Sequence, residues 1–443
     1  MKLKIKKGLD LRLKGTIPNN SLVEIKVGCV AIYPDDFEGF IPKADVKAGH
    51  RVACGDTLLH HKKDERIKIV SPVNGTVRAV ERGERRHIDR IVIDCDTAAD
   101  LQPRRFNKPG HSAQALMEFL AESGTMAFIR QRPYAIVPAL SAPRDIFVTG
   151  FDSSPLAPER LWDKPDTEAL QKGADILAAI CKDNVYLSKR PDSTLPELKN
   201  VRQVIIRGPH PAGLPGVQAA NIRPVNKGEI VWTLSAETMW RIGKLYIDGH
   251  FDATTLVGVC GSCVKNPYIA KTVIGAAIEP LLENGHPVDN RHLRIISGNV
   301  LTGEKENIDG FLHFPYTQLT VIPEGDDVDE FMGWASLSPN KMSISPSFPG
   351  WLLRRTFNPD ARINGGRRAF IMSGLFEKVL PMDILPEALL KTIKSKNIED
   401  MEKLGIYEVA PEDFALAECI DSSKQPLQQI IKEGLEYLRK ELQ

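Results

Sequence analysis

The sequence predicts a multidomain α+β protein, and three features of the 443-residue chain indicate this class. Short β-type runs, separated by glycine, proline and Asn-Gly turns, extend from Ile5 to Asp96. Strand-like runs then alternate with helical stretches as far as Phe251, which is typical of an α/β layer with a mainly parallel sheet. The chain turns β-rich again from Thr254 to Val321 and ends in an amphipathic helix. At this length two to four domains are expected.

Composition and charge argue against several classes of function. The chain has 58 Lys+Arg and 57 Asp+Glu, a formal charge of +1, so no strong field gathers nucleic acid and no nucleic-acid partner is expected. The start, Met1–Asp10, lacks the apolar core of a secretory signal. The best apolar run, Val273–Leu282, is broken by Glu279 and Pro280. We therefore expect a soluble or peripheral protein in the cytoplasm, without a transmembrane segment.

Residues 55–77, GDTLLHHKKDERIKIVSPVNGTV, have the flanks of a lipoyl or biotinyl carrier hairpin. Such a hairpin presents a modifiable lysine at its tip. Counting back from Ser71-Pro72 predicts the tip at Asp64–Arg66, with Glu65 at the position of the lysine. Lys62-Lys63 would then lie two or more residues off the tip. The hairpin is therefore interpreted as structural.

The second part of the chain is predicted to be an α/β layer. Helices are expected at Ala113–Ser123, Asp166–Asp183 and Ser235–Gly243, and strands at Ile146–Thr149 and Val204–Ile206. The stretch GPHPAGLPGV, Gly208–Val217, is the nearest candidate for a phosphate loop. It matches neither G-x-G-x-x-G nor a Walker loop, and its three prolines remove backbone N–H groups that a phosphate would need. It is interpreted as a rigid structural loop, with phosphate binding as the alternative.

The last part of the chain begins irregularly after Pro323 and ends helically. Ser422 or Ser423 is expected to cap a final helix with apolar residues at i, i+3/i+4 spacing. These residues are Leu427, Ile430, Ile431, Leu435, Leu438 and Leu442. Such a helix is expected to pack on its own domain, with docking onto a partner as the alternative.

Few residues form a pattern with evident chemistry. Seven cysteines without an export signal indicate reduced thiols. Cys260 and Cys263 are interpreted as small residues that pack at a strand end. The sequence lacks the further ligands that a zinc site or an iron–sulfur cluster would need. Half a zinc site and a redox pair are the alternatives. His60-His61 are interpreted as solvated strand residues. We predict no catalytic, cofactor-binding or metal-ligating residue.

Ten short stretches, spread in order over nearly the whole chain, carry a resemblance to a known family. They are KIKKGLDL (4–11), SPVNGTVRAVERG (71–83), IRQRPYAIVPAL (129–140), IFVTGFDSSPLAP (146–158), PAGLPGVQ (211–218), VWT (231–233), IGKL (242–245), ISGNVLTG (296–303), FMGW (331–334) and LPMDILPEALL (380–390). As an ordered set they resemble the NqrA family, the A subunits of the Na+-translocating NADH:quinone oxidoreductase, a bacterial respiratory sodium pump.

The resemblance implies a four-part layout. It comprises a biotinyl/lipoyl-like β domain without a modifiable lysine (residues 1–100), a Rossmann-like α/β domain (101–253), a β-grasp domain of the soluble-ligand-binding type (254–325) and a mainly helical C-terminal domain (326–443). Related folds form the flavin-binding subunit of complex I and the iron–sulfur C subunit of the Rnf complex. The chain lacks the glycine-rich loop of the first and the cysteine clusters of the second, so we expect no redox cofactor of its own.

The chain also departs from many NqrA sequences near its C-terminus. Those sequences carry a C-x3-C-P-G-K segment there. The matching stretch here is AECIDSSK, in which Ala417 and Asp421 replace the two cysteines and Cys419 lies between them. Whatever those cysteines do elsewhere, this chain functions without them.

By resemblance, the protein is a peripheral subunit on the cytoplasmic side of the bacterial inner membrane. It would assist quinone binding or reduction and brace the other subunits, especially a quinone-binding membrane subunit. NADH, flavins and iron–sulfur centres would belong to the partner subunits, and the isolated chain would be inactive. A cofactor-free scaffold without quinone contact and a soluble flavin-binding oxidoreductase are the alternatives.

A quinone contact requires an apolar or aromatic wall and a donor for a carbonyl oxygen. Two stretches of the sequence offer both: IYPDDFEGF and RQRPY. The quinone-adjacent residues predicted from them are Tyr33, Phe37, Phe40, Arg130, Arg132 and Tyr134.

Overall fold

The structure is a computed structural model that describes residues 1–18, 21–96, 101–158, 166–182, 184–287, 292–326, 341–342 and 356–442. The stretch FMGW and most of the irregular segment after Pro323 lie outside the described residues. The described part has several sheets followed by a helical C-terminal region, which confirms the multidomain mixed α/β class. The finer fold names stay predictions.

The strands and helices are numbered in chain order. The strands are β1 Lys2–Lys4, β2 Leu22–Glu24, β3 Cys29–Ile32, β4 Pro42–Ala44, β5 Arg51–Val52, β6 Thr57–His61, β7 Asp64–Val70, β8 Gly75–Arg82, β9 Ile88–Cys95, β10 Arg130–Arg132, β11 Asp145–Thr149, β12 Val185–Lys189, β13 Arg202–Arg207, β14 Val231–Ser235, β15 Thr254–Cys260, β16 Tyr268–Val273, β17 Leu293–Ser297, β18 Glu304–Glu306 and β19 Gln318–Pro323. The helices are α1 Ala113–Glu122, α2 Thr167–Cys181, α3 Pro215–Ile222, α4 Ala236–Asp248, α5 Ile278–Gly285, α6 Phe376–Val379, α7 Pro386–Lys394, α8 Ile398–Lys403, α9 Ala415–Ile420 and α10 Leu427–Leu442.

The N-terminal β module consists of two antiparallel sheets, ordered β3-β9-β8-β5 and β4-β6-β7. The β6–β7 hairpin corrects the predicted position of its tip. His61 pairs with Asp64, so the turn is formed by Lys62-Lys63, and both lysines are exposed. His60 pairs with Lys68 and His61 pairs with Asp64, so residues 65–67 of β7 form an irregularity with no partners on β6. These extra residues increase the number of residues between the turn and Ser71-Pro72. A count that assumed a regular hairpin therefore placed the tip too late.

A second correction concerns His60, which was predicted to be solvated. The residue is buried, and its Nδ1 lies 2.8 Å from Oδ2 of Asp45. Its neighbour His61 is half-buried, with Nε2 3.3 Å from the carbonyl oxygen of Gly39.

The α/β layer is a six-stranded sheet in the order β1-β13-β12-β11-β14-β10. All neighbouring strands are parallel except β10, which runs antiparallel to β14. The predicted strands at Ile146–Thr149 and Val204–Ile206 are confirmed as parts of β11 and β13. The three predicted helices are confirmed as α1, α2 and α4, and the last of them extends five residues further than predicted.

Side chains that begin these helices explain where they start. Ser112, Asp166 and Ser235 each accept a hydrogen bond from the backbone N–H three residues later, the arrangement of an N-cap. Helix α4 ends at Gly249, whose φ of 75° is in the left-handed region that glycine adopts without strain.

The two faces of the six-stranded sheet pack against different parts of the chain. Alternate residues of a strand point to opposite faces. Ile146 and Val148 join the core that contains α1, α2, α4 and the N-terminal β module, whereas Phe147 joins the core that contains the C-terminal helices. The sheet is therefore buried on both sides, as expected of a parallel sheet.

A second six-stranded sheet, in the order β18-β17-β19-β15-β16-β2, forms the third part of the molecule and packs against α5. Cys260, the last residue of β15, and Cys263 are both buried and form no disulfide, as expected of small residues that pack at a strand end. Strand β2 comes from the N-terminal segment, as does β1 in the α/β sheet. The first 24 residues thus supply strands to two sheets outside the N-terminal β module.

The final helix α10 starts later than its predicted cap. It begins at Leu427, and Ser423 instead donates to the carboxylate of Asp421 at 2.7 Å. Glu418 of α9 accepts the free N–H of Gln428 at 2.8 Å, so a neighbouring helix provides the cap. Leu427, Ile430, Ile431, Leu435 and Leu438 of α10 are buried in the core with the other C-terminal helices, as predicted. The prediction was wrong for Leu442, which is 46% exposed at the end of the helix.

Candidate functional site

A cavity of about 740 Å³ is lined by residues from the N-terminal β module, the α/β sheet, the segments beside the second sheet and the C-terminal helices. One wall is formed by the loops that follow β11, β12, β13 and β14, at the carboxyl ends of the parallel strands. In open α/β sheets this edge is the usual place for a ligand. The N-terminal β module contributes residues 35, 36 and 38, the second sheet contributes residues 312–317, and α10 closes another side.

The loop Gly208–Val217, interpreted from the sequence as structural, forms part of this wall through His210 and residues 213–215. Its backbone is held by side chains from elsewhere in the chain. The N–H of His210 donates to Asp10 at 2.8 Å, and the N–H of Gly213 donates to Oγ of Ser153 at 2.8 Å. Two of its N–H groups thus already have partners within the protein.

Arg130, on β10, is a half-buried cation in the cavity wall. Its Nη1 donates to the carbonyl oxygen of Ala127 at 3.2 Å, and its Nη2 donates to that of Asp36 at 2.6 Å. In the part of the chain that the structure describes, no carboxylate forms an ion pair with it. Burial lowers its pKa. Since a guanidinium carries five N–H donors, Arg130 retains donors for an acceptor inside the cavity.

An aromatic cluster lies beside Arg130. The guanidinium is 5.3 Å from the ring centroid of Phe314. Phe314 stacks on Phe37 with centroids 5.2 Å apart and makes an edge contact with Phe128 at 4.7 Å. Phe314 and Phe128 line the cavity, and Phe37 supports Phe314 from the core. This is the combination of an apolar wall and a donor that the sequence analysis sought.

The predicted quinone-adjacent residues divide into two groups. Arg130 and Tyr134 line the cavity, and Tyr134 is half-buried. Phe40 lies in the core, with its ring against that of His61, and does not line the cavity. Arg132 is only 1% exposed and points to Asp413 at 3.3 Å and Glu412 at 3.1 Å.

Tyr33 lies behind the cavity wall, in a cluster that also contains Asp36, His313 and Glu306. Its ring stacks on that of His313 with centroids 3.9 Å apart, and its hydroxyl donates to Glu306 at 2.9 Å. Nδ1 of His313 lies 2.7 Å from Asp36, and Nε2 lies 2.9 Å from Glu306. Burial alone would lower the pKa of His313, but the hydrogen bonds to the two carboxylates raise it to about 9.

Sequence reasoning missed the functional potential of Asp36 and His313, both of which line the cavity. Asp36 lies within the stretch IYPDDFEGF, between the nominated aromatic residues. His313 follows 277 residues later, in the segment between β18 and β19, and no local pattern joins the two. Arg130 was predicted to lie beside a quinone; it lines the cavity, and its contact with a quinone stays a prediction.

Three family models match the chain. They are described as NqrA N-terminal barrel-sandwich hybrid domain over residues 3–96, NqrA second alpha/beta domain over 111–251 and NQRA C-terminal domain over 256–307. A protein of Hahella chejuensis (strain KCTC 2396), named as the A subunit of Na(+)-translocating NADH-quinone reductase, is 35% identical over 454 residues, which cover 99% of this chain and 100% of that protein. The chain belongs to the NqrA family of Na+-translocating NADH-quinone reductases.

Other NqrA proteins match over the same length. Those of Vibrio anguillarum and Pasteurella multocida (strain Pm70) are 33% and 31% identical, and each match covers 99% of this chain and 99% of the relative. A solved structure of an NAD+-reducing [NiFe]-hydrogenase in the air-oxidized state matches with a TM-score of 0.38 and 14% identity, over 74% of this chain and 61% of that chain. A likeness at this level supports no conclusion about function.

Two further properties of this NqrA family member concern membranes and metals. Of the helices in the described ranges, none has the length and apolar character that crossing a bilayer requires. Within the same ranges, no cluster of three or more His, Cys, Asp or Glu side chains is arranged to hold a metal ion.

Proposed function

We propose that this chain is the peripheral NqrA subunit, on the cytoplasmic side of the bacterial inner membrane, of a respiratory Na+-pumping NADH:quinone oxidoreductase. Relatives with 31–35% identity over 99% of the chain bear that subunit's name. In this proposal the other subunits, including a quinone-binding membrane subunit, are its partners. They carry NADH, the flavins and the iron–sulfur centres, and this chain carries no redox cofactor of its own.

We further propose that the cavity takes the headgroup of a quinone. The observation that supports this is Arg130, a half-buried guanidinium at the cavity wall that donates to two backbone carbonyls and keeps further N–H donors. The charges of Asp36, Glu38 and Glu412 act on this guanidinium from nearby, and an acceptor that enters the cavity would use the N–H donors that remain. A quinone offers a carbonyl oxygen to Arg130 and an apolar ring to Phe314 and Phe128.

Tyr134 would act at another part of the same cavity. Burial raises the pKa of its hydroxyl, and the charge of nearby Arg439 opposes that effect. The hydroxyl therefore stays protonated at neutral pH and is able to donate a hydrogen bond. Arg439, from the last turn of α10, lines the same cavity.

Equilibrium titration of the purified chain with a short-chain, water-soluble quinone tests this proposal. We expect Arg130→Gln to weaken binding by about ten- to a hundredfold, since one charge-assisted hydrogen bond contributes about 1.5 to 3 kcal/mol. Tyr134→Phe, which removes only the hydroxyl, should weaken binding less. Arg104→Gln is the matched control, because Arg104 also lies over an aromatic ring, that of Phe106 at 5.0 Å, but does not line the cavity.

Equal affinity of the wild type and Arg130→Gln would contradict the quinone assignment and favour the scaffold alternative.

Membership in the complex is tested separately. A tagged chain, isolated from its native membranes in mild detergent, should bring membrane subunits and Na+-stimulated NADH:quinone reduction with it. A lone, yellow, flavin-containing protein would instead support the soluble oxidoreductase.

A further inference from the structure

His313 and the two carboxylates beside it form a buried charged cluster that faces the cavity on one side only. The side chains of His313, Asp36 and Glu306 are 13%, 11% and 14% exposed. Asp36 and His313 line the cavity, whereas Glu306 lies behind them. His313 therefore lies between two carboxylates, Asp36 at the cavity and Glu306 away from it.

The cluster is joined directly to the proposed quinone anchor. The backbone carbonyl of Asp36 accepts a hydrogen bond from Arg130 at 2.6 Å, and its carboxylate accepts one from the N–H of Phe314 at 2.8 Å. The donor for a quinone oxygen, the aromatic wall and the Asp36–His313 pair thus belong to one hydrogen-bonded unit.

Behind Glu306, the cluster continues to the protein surface. Tyr33 donates to Glu306 at 2.9 Å, and Arg90, itself 3.5 Å from the Tyr33 hydroxyl, pairs with Glu81 at 2.7 Å. The side chains of Arg90 and Glu81 are 30% and 41% exposed. A continuous set of polar groups therefore connects the cavity with solvent.

We propose that the Asp36–His313 pair supplies a proton to the quinone bound in the cavity, which rests on the function proposed above. Reduction of a quinone to a quinol consumes two electrons and two protons, and the electrons originate from NADH through the partner subunits. His313, held as an imidazolium by two carboxylates, releases its Nδ1 proton to Asp36, and Asp36 passes it to the reduced quinone oxygen. A proton from solvent restores the imidazolium, and a second passage through the same pair supplies the second proton, again replaced from solvent.

The charges around His313 agree with this role. The charged and titratable groups around the ring are Asp36, Glu306, Tyr33, Arg90 and Arg130. Burial raises the pKa of Asp36, with the hydrogen bond from His313 opposing it, so this carboxylate accepts a proton more readily than an exposed one. The two carboxylates keep the imidazole charged at neutral pH, which makes it a stored proton next to the cavity.

The test uses the intact complex and compares kcat with quinone affinity across pH. We expect His313→Gln to lower kcat for Na+-stimulated NADH:quinone reduction by at least about tenfold, while quinone binding by the purified chain changes less than about twofold.

Glu306→Gln keeps the size of the side chain but removes one of the charges that hold the proton on His313. The pH at which kcat falls on the alkaline side should therefore decrease by about one unit. His87→Gln is the control, because His87 forms a similar pair with Asp35 at 3.0 Å but is 45% exposed and lies outside the cavity lining.

The outcomes separate this inference from the proposed function. Wild-type chain that does not bind quinone would overturn both. Quinone binding with unchanged kcat in His313→Gln and an unmoved alkaline limb in Glu306→Gln would overturn the proton role alone. Should His313→Gln fail to assemble, the pH profile of Glu306→Gln decides the question, since a purely structural role would leave that limb where it is.

Discussion

At the scale of single residues, Arg132 illustrates how a residue nominated for ligand binding is used for the fold. Its guanidinium is fully buried and pairs with Asp413 and Glu412, which precede α9. Asp413 is itself fully buried, and burial raises its pKa while Arg132 opposes that shift. The pair therefore joins the α/β sheet to the C-terminal helices.

Replacement of Arg132 by Ala should destabilise the protein by about 3 to 5 kcal/mol, because it leaves a buried carboxylate without its partner. The change is measured as the loss of free energy of unfolding in urea. Lys403→Ala removes an ion pair in which the lysine side chain is 70% exposed, and it should cost less than about 1 kcal/mol. Equal effects of the two substitutions would contradict the account of Arg132.

His313 gives a prediction about stability and pH. Its pKa is raised to about 9 in the folded protein, because the hydrogen bonds to Asp36 and Glu306 outweigh the effect of burial. In the unfolded chain it returns to about 6.5. A group with a raised pKa contributes its full stabilisation below the unfolded value and loses it as pH rises through the folded value.

Wild-type stability should therefore fall more steeply between about pH 7 and pH 9 than that of His313→Gln. Thermal unfolding midpoints of both proteins at half-unit steps of pH provide the measurement. Since tyrosines and lysines titrate in the same range, the difference between the two proteins is the relevant quantity. Parallel curves would show that His313 does not bind its proton more tightly in the folded state.

At the scale of elements, helices α2 and α4 cross at two glycines. An added Cβ on Gly243 would overlap with the carbonyl oxygen of Ala169, and one on Gly173 would overlap with that of Met239. Neither glycine is required by its backbone conformation, since both lie within helices. They are there because the two helix backbones approach each other closely.

We expect Gly243→Ala to destabilise the protein by about 1 to 3 kcal/mol, as overpacking does. Replacing glycine by alanine within a helix usually increases the free energy of unfolding by about 1 kcal/mol, so a decrease here would be the opposite effect. Urea unfolding of the purified chain measures the change. Gly434→Ala in α10 is a useful comparison, because its Cβ would lie 2.9 Å from a methyl of the Ile393 side chain, which is able to shift. A stabilising effect of Gly243→Ala would contradict the close approach.

Elements with local signals were predicted from the sequence, and those set by distant contacts were not. Helices α1, α2 and α4 start at Ser112, Asp166 and Ser235, residues whose capping role is evident from their types and positions. The start of α10 was wrong because Glu418, on another helix, accepts the N–H of Gln428. The hairpin tip was wrong because residues 65–67 interrupt the regular pairing of β6 with β7, and no feature of the sequence marked that irregularity.

At the scale of the whole molecule, the N-terminal segment ties three parts together. Strand β1 pairs in parallel with β13 of the α/β sheet, and β2 pairs in parallel with β16 of the second sheet. The domain intervals predicted from the sequence did not anticipate this, because three-residue strands have too few side chains to show which sheet they join. Pairing of this kind depends on partners that lie 200 or more residues away.

The cavity is also a property of the whole molecule. Asp36, Arg130, His313 and Glu412 line it together, and they come from four different parts of the chain. The sequence analysis nominated Arg130 and Tyr134 through a family resemblance and the need for a donor and an aromatic wall. It could not indicate which of the neighbouring arginines, Arg130 or Arg132, faces the cavity, because the answer depends on Asp413 reaching Arg132 from the C-terminal helices.

A cryo-electron microscopy map of the intact complex with a short-chain quinone tests the central claim most directly. The account predicts density for the headgroup in the cavity of this chain, beside Arg130 and Phe314 and within reach of Asp36. A well-ordered map in which the cavity holds no quinone, and quinone density lies only within other subunits, would contradict it and would leave this chain as a scaffold.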